Sequence, residues 1–90
     1  MKLLTYRGKS QNSMFLEIGV YKIFFSYAVP IAFFNGDTLY VSENVYSRTT
    51  GQHIATVKSL FKPQIIQEKI PRESFESILQ NFLGEIHWNV

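Results

Sequence analysis

Asn35-Gly36-Asp37 sits between two short apolar runs, residues 31–34 and 38–42, and constrains the chain more than any other segment. Asn-Gly supplies the positive φ angles of a type I′ turn, whose twist matches that of two antiparallel strands. The residues around it therefore read as a hairpin. The pattern extends upstream. In residues 21–27, Tyr21, Ile23, Phe25 and Tyr27 alternate with Lys22, Phe24 and Ser26. Phe24 is apolar on the opposite side from Ile23, so this strand is expected to be covered on both faces. Gly19-Val20 has the Gly-X form of a type II′ hairpin loop and joins it to a strand around Phe15–Ile18. Pro30 opens the strand before the Asn-Gly turn, where a missing N–H does least harm. Residues 2–7 read as a first strand and residues 8–13 as a loop. Four or five consecutive strands of this kind form an antiparallel meander.

The period changes after Asn44. Thr50, Ile54, Val57 and Phe61 fall on one face of a helix that starts near Ser47 and is stopped by Pro63. Residues 64–70 read as a further strand or an extended connector. Pro71 opens a second helix with a full apolar stripe of Phe75, Ile78, Leu79, Phe82, Leu83 and Ile86. Glu73 and Glu76 lie near its start, where the helix dipole favours negative charge, and Gly84 suits its end. Residues 87–90 read as a tail. The expected fold is α+β: the meander followed by two helices packed on one face of the sheet, in a single domain over residues 1–90.

Composition narrows the function classes. The hydrophobic fraction of 46% excludes a disordered chain. With no cysteine there is no disulfide, thiolate metal site or cysteine nucleophile. The two histidines, His53 and His87, have no carboxylate at metal-ligand spacing, so neither a metal nor a cofactor is expected. Leu3-Leu4 is too short for a signal core, and the apolar stretch 21–34 is broken by Lys22, Ser26 and Pro30. The expectation is a cytoplasmic protein without membrane contact. So many aromatics in a small cysteine-free chain also predict self-association.

Residues 1–35 carry four basic residues against one acidic, whereas residues 63–90 carry two against four. The basic β half, rich in Tyr21, Phe24, Phe25, Tyr27, Phe33, Phe34 and Tyr40, has the ingredients of a stacking platform for single-stranded nucleic acid. The same aromatics also serve as an ordinary core. Residues 47–53, Ser-Arg-Thr-Thr-Gly-Gln-His, gather at a helix start, where free N–H groups bind anions. Arg48, Thr49, Thr50, Gly51 and His53, with Lys22 from the sheet, are the candidate anion or nucleic-acid contacts. The simpler alternative is that Ser47 or Thr49 caps the helix and the rest is its first turn. Catalysis by His53 with Ser47 or Thr50 needs an orienting acid, for which only Glu17, Asp37 and Glu43 lie upstream. The chain is therefore read as non-enzymatic.

Phe25-Ser26-Tyr27, Pro30-Ile31-Ala32, residues 39–44 (Leu-Tyr-Val-Ser-Glu-Asn) and the run Ser47-x-Thr49-Thr50-x-x-His53 resemble a family of small uncharacterised proteins encoded by phages and other mobile elements. The resemblance implies a viral or mobile-element accessory protein and carries no activity with it. Two functions stand as expectations: nucleic-acid binding, and a protein-interaction module that self-assembles or inhibits a host protein.

Overall fold

The computed structural model describes residues 2–8, 12–60 and 65–85. Phe61, Pro63, Gln64, Ile86 and the tail lie outside the described residues. Five strands run in order: β1 (Lys2–Thr5), β2 (Met14–Ile18), β3 (Tyr21–Ser26), β4 (Val29–Phe34) and β5 (Thr38–Ser42). Helix α1 (Arg48–Leu60), strand β6 (Ile65–Ile70) and helix α2 (Arg72–Glu85) follow. The strands form one six-stranded sheet in chain order, antiparallel from β1 to β5. The α+β class and the meander are as read from the pattern. The ambiguous segment 64–70 contains β6, which lies parallel to β5. A parallel neighbour requires a crossover, and α1 is that crossover.

The three tight hairpin loops, from β2 to β5, share one device. Ile18 pairs with Tyr21 around Gly19-Val20, and Gly19 has φ 60. Ser26 pairs with Val29 around Tyr27-Ala28, and Tyr27 has φ 57. At the Asn-Gly turn only Gly36 has positive φ, at 105. Asn35 thus departs from the type I′ expectation. Its carboxamide oxygen accepts from the N–H groups of Asp37 (3.0 Å) and Thr38 (2.9 Å), and its N–H donates to the Thr38 carbonyl. The side chain closes the turn without Asn35 itself becoming left-handed. Pro30 sits where the β3–β4 register shifts, so its missing N–H falls at an irregularity of the ladder.

Alternation along the strands sorts two cores. Phe24, Ala32, Leu39 and Val41 face one way and bury Val57 of α1, with Tyr6 and Ile31. Ile18, Ile23 and Phe33 face the other way and bury Phe75, Leu79 and Phe82 of α2. The sheet is therefore covered on both faces, one helix to each, where a single shared face was expected. Adjacent apolar residues on β3 and β4 give both helices a surface to bury. The start of α2 is tied to the loop before α1. The Glu43 carboxylate accepts from the Arg72 N–H at 3.2 Å, and Arg72 Nη1 donates to the Pro30 carbonyl at 2.8 Å and to Ser42 Oγ at 3.0 Å. No helix among the described residues is long and apolar enough to cross a membrane.

Candidate functional site

The helix start is built by Asn44 and Ser47. Asn44 Oδ1 accepts from the N–H of Tyr46, and its Nδ2 donates to the Ser47 carbonyl at 2.8 Å. Ser47 is the N-cap: its Oγ accepts from the Thr50 N–H at 3.1 Å. The Gly51 N–H donates to the Ser47 carbonyl at 3.1 Å as the first intrahelical bond. A Cβ at Gly51 would lie 3.0 Å from Asn44 Nδ2, so the glycine lets the loop close on the helix.

Thr50 and His53 point into the fold and are buried. There they meet Ser26, the last residue of β3, which is 1% exposed. Ser26 Oγ is 3.0 Å from Thr50 Oγ1 and 2.7 Å from His53 Nδ1. Ser47 Oγ donates to Thr50 Oγ1 at 3.2 Å, which completes a chain of three hydroxyls ending on an imidazole. Each hydroxyl has a single proton. With Ser47 donating to Thr50, Thr50 to Ser26 and Ser26 to Nδ1, every hydroxyl both donates and accepts. This assignment makes Nδ1 an acceptor and puts the ring proton on Nε2.

Aromatic residues wall the imidazole. The Tyr6 ring stands edge-on to it at 5.9 Å, and the Tyr27 ring is tilted over it at 5.9 Å. Burial, and then the Arg7 guanidinium, hold the His53 pKa below its usual value, so the ring is neutral at pH 7. The Tyr6 hydroxyl donates to the Phe25 carbonyl at 2.7 Å, and burial pushes its pKa up to about 12. Outward from His53 opens a cleft of about 540 Å³, bordered by Tyr6, Arg7, Gly8, Ser13, His53 and Thr56.

The six residues singled out from sequence divide. Thr50 and His53 are brought together on the inner side of α1. Arg48 is exposed and Thr49 half-buried on the first turn, while Gly51 serves the Asn44 contact. Lys22 lies apart, four residues up β3 from Ser26, or roughly 13 Å along a strand. There it is 3.8 Å from the Glu17 carboxylate and packs over Phe34. Neither Glu17 nor Asp37 nor Glu43 hydrogen-bonds to or pairs with His53: Glu17 pairs with Lys22, and Glu43 caps α2. Sequence reasoning missed Ser26 as the partner of His53. Its signal was a serine two places beyond Phe24, on the same inward face of an otherwise apolar strand. Among the described residues no cluster of histidine and carboxylate could hold a metal.

No curated protein and no solved structure matches the chain. A family model does match, over residues 1–75, which take in the whole sheet, α1 and the first turn of α2. The chain therefore belongs to that family, a family of unknown function designated DUF8033.

Proposed function

We propose that the chain is a non-enzymatic accessory protein, of viral or mobile-element type, that binds single-stranded nucleic acid at the end of the sheet where β3 meets α1. The observation that carries this reading is Tyr27. It is 51% exposed, yet its backbone has φ 57 in a hairpin position that glycine ordinarily fills. Holding a tyrosine there costs stability, and such strain gathers at functional positions. Its ring leans on the buried His53 and offers its outer face to solvent. A base stacked on such a ring gains about 1–3 kcal/mol.

Charge supports the reading. Lys22, Lys58 and Arg72 are held in ion pairs with Glu17, Glu68 and Glu76. Arg7 and Arg48 have no ion-pair partner among the described residues. Tyr6 and Thr50, close to them in sequence, touch His53 and Ser26, and both arginines are proposed as phosphate contacts. Lys22 enters only as part of the basic β half. The Ser26–His53 pair favours a supporting role over catalysis: the hydroxyl is sealed from solvent, and its hydrogen bonds are used to hold the imidazole. The resemblance carried by Ser47-x-Thr49-Thr50-x-x-His53 supports the mobile-element origin.

Fluorescence anisotropy with single-stranded DNA and RNA oligonucleotides over a salt series tests the proposal. The parent protein should bind at low salt and weaken steeply as salt rises. Arg48→Ala should lower the salt slope by about one, and Tyr27→Ala should weaken binding without changing that slope. No binding at low salt, or two variants that bind as the parent does, refutes it.

The alternative is a protein-interaction module, favoured by the two sheet edges. Leu3 on β1 is 57% exposed and Ile65 on β6 is 53% exposed, with Leu4 and Ile66 beside them. Open edges with exposed apolar side chains pair readily with another strand, here from a second copy or a host protein. Light scattering should then give more than the monomer mass, and Ile66→Lys should reduce it; a monomer at all concentrations refutes self-assembly.

A further inference from the structure

The cleft beside His53 is bordered by Arg7 and not by Tyr27. Arg7 is an exposed guanidinium with no carboxylate paired to it among the described residues. His53 is 4% exposed, and its Nδ1 is occupied by Ser26. With the hydroxyl chain donating toward Nδ1, the ring proton lies on Nε2, the one polar atom that the imidazole then has left to offer. Among the described residues none that borders the cleft is acidic. We infer that this cleft receives a phosphate monoester, with the Arg7 guanidinium and the His53 Nε2–H as its donors.

Three features favour a phosphate here. A fixed donor beside an unpaired cation suits an anion and repels a metal ion. With Ser26 donating to Nδ1, the neutral ring carries its proton on Nε2, so the donor direction does not depend on protonating the ring. The cleft, at about 540 Å³, is far larger than the ~30 Å³ share of one water and has room for the group that carries the phosphate. A concave site of this kind admits the end of a strand more readily than a diester in mid-strand, which must enter and leave. The inference deepens the nucleic-acid proposal, on which it rests for the choice of phosphate over other anions, by naming a terminal phosphate as the group recognised. The same chemistry would also recognise a free mononucleotide.

The test follows the His53 ring by proton–nitrogen NMR, its signals assigned by comparison with His53→Gln, during titration with inorganic phosphate, a nucleoside monophosphate, and acetate at matched ionic strength. The expected result is a saturable shift with both phosphates and none with acetate. Arg7→Ala should weaken it about tenfold or more without unfolding the protein, because the side chain is exposed. Arg7→Lys should recover part of the loss. An oligonucleotide bearing a 5′-phosphate should also bind more tightly than its 5′-hydroxyl counterpart. If phosphate shifts the ring but no oligonucleotide binds, the nucleic-acid proposal fails and the cleft is a site for a free phosphate monoester. If both oligonucleotides bind equally and phosphate leaves the ring unchanged, the cleft inference is overturned while the nucleic-acid proposal stands. An equal response to acetate also overturns it.

Discussion

Tyr27 offers the sharpest check on the link between backbone strain and function, through a comparison of Tyr27→Gly with Tyr27→Ala. Both substitutions remove the ring, so both lose the same contact with His53 at 5.9 Å. They differ in the backbone. At φ 57 an alanine keeps its Cβ close to the following carbonyl, a cost of about 1–2 kcal/mol that glycine escapes. Glycine gives back roughly 0.4–1 kcal/mol through the greater freedom of its unfolded chain. The difference leaves Tyr27→Gly the more stable by about 0.5–1 kcal/mol, or a few degrees in Tm for a chain of this size. At ordinary strand φ the order is reversed, since glycine is then the weaker residue by a similar amount. Urea unfolding of the two variants, with equal m-values, reads the difference directly. An alanine variant as stable as the glycine variant, or more so, would refute the strain argument and, with it, the main reason for assigning Tyr27 a function. The parent adds a second reading. Its ring is half exposed and leans on one neighbour, so Tyr27→Gly should match the parent to within about 1 kcal/mol while losing nucleic-acid affinity.

Ser26→Ala leaves His53 Nδ1 and the Thr50 hydroxyl without their partner in a buried place, and should cost about 1–3 kcal/mol in denaturant unfolding. The His53 pKa is held down in the folded state, so on acidification the unfolded chain takes up the proton first. Stability should therefore be full above about pH 6.5, fall as pH drops below it and level off beyond the folded pKa. The Tyr6 hydroxyl beside the ring, pushed up to about 12, stays neutral in that window, and His53→Gln should flatten this step in urea midpoints. Gly51→Ala should bring less than the ~1 kcal/mol of helix propensity that the change normally gives, because the new methyl displaces Asn44 from the Ser47 carbonyl; a full gain in thermal unfolding would contradict the packing argument. Gly36→Val should lose roughly 1–2 kcal/mol, since φ 105 is closed to a β-branched residue, and an unchanged Tm would argue against the turn geometry.

Elements that depend on near neighbours were legible in the residues alone. The alternation of Ile23, Phe24 and Phe25 predicted a strand covered on both faces, Gly19 and Gly36 marked two of the tight loops, and the Phe75–Leu79–Phe82 stripe marked α2. These signals are local because strand and helix periods repeat within a few residues. Residues 47–53 were likewise legible as a helix start, with Ser47 among the expected caps. How these elements meet was not. Adjacent apolar residues on β3 and β4 satisfy a helix on either side equally, so periodicity could not assign α1 and α2 to opposite faces. Nor could it choose a strand over a connector for the exposed β6, which is defined by the parallel ladder that the α1 crossover brings against β5. The site depends on the same step. Ser26 and His53 are 27 residues apart, and a hydrogen bond of 2.7 Å between them exists only because α1 lies across the end of β3. A single sequence carries no distance information at that separation, and the hydroxyl chain that reaches His53 follows from how the two elements pack.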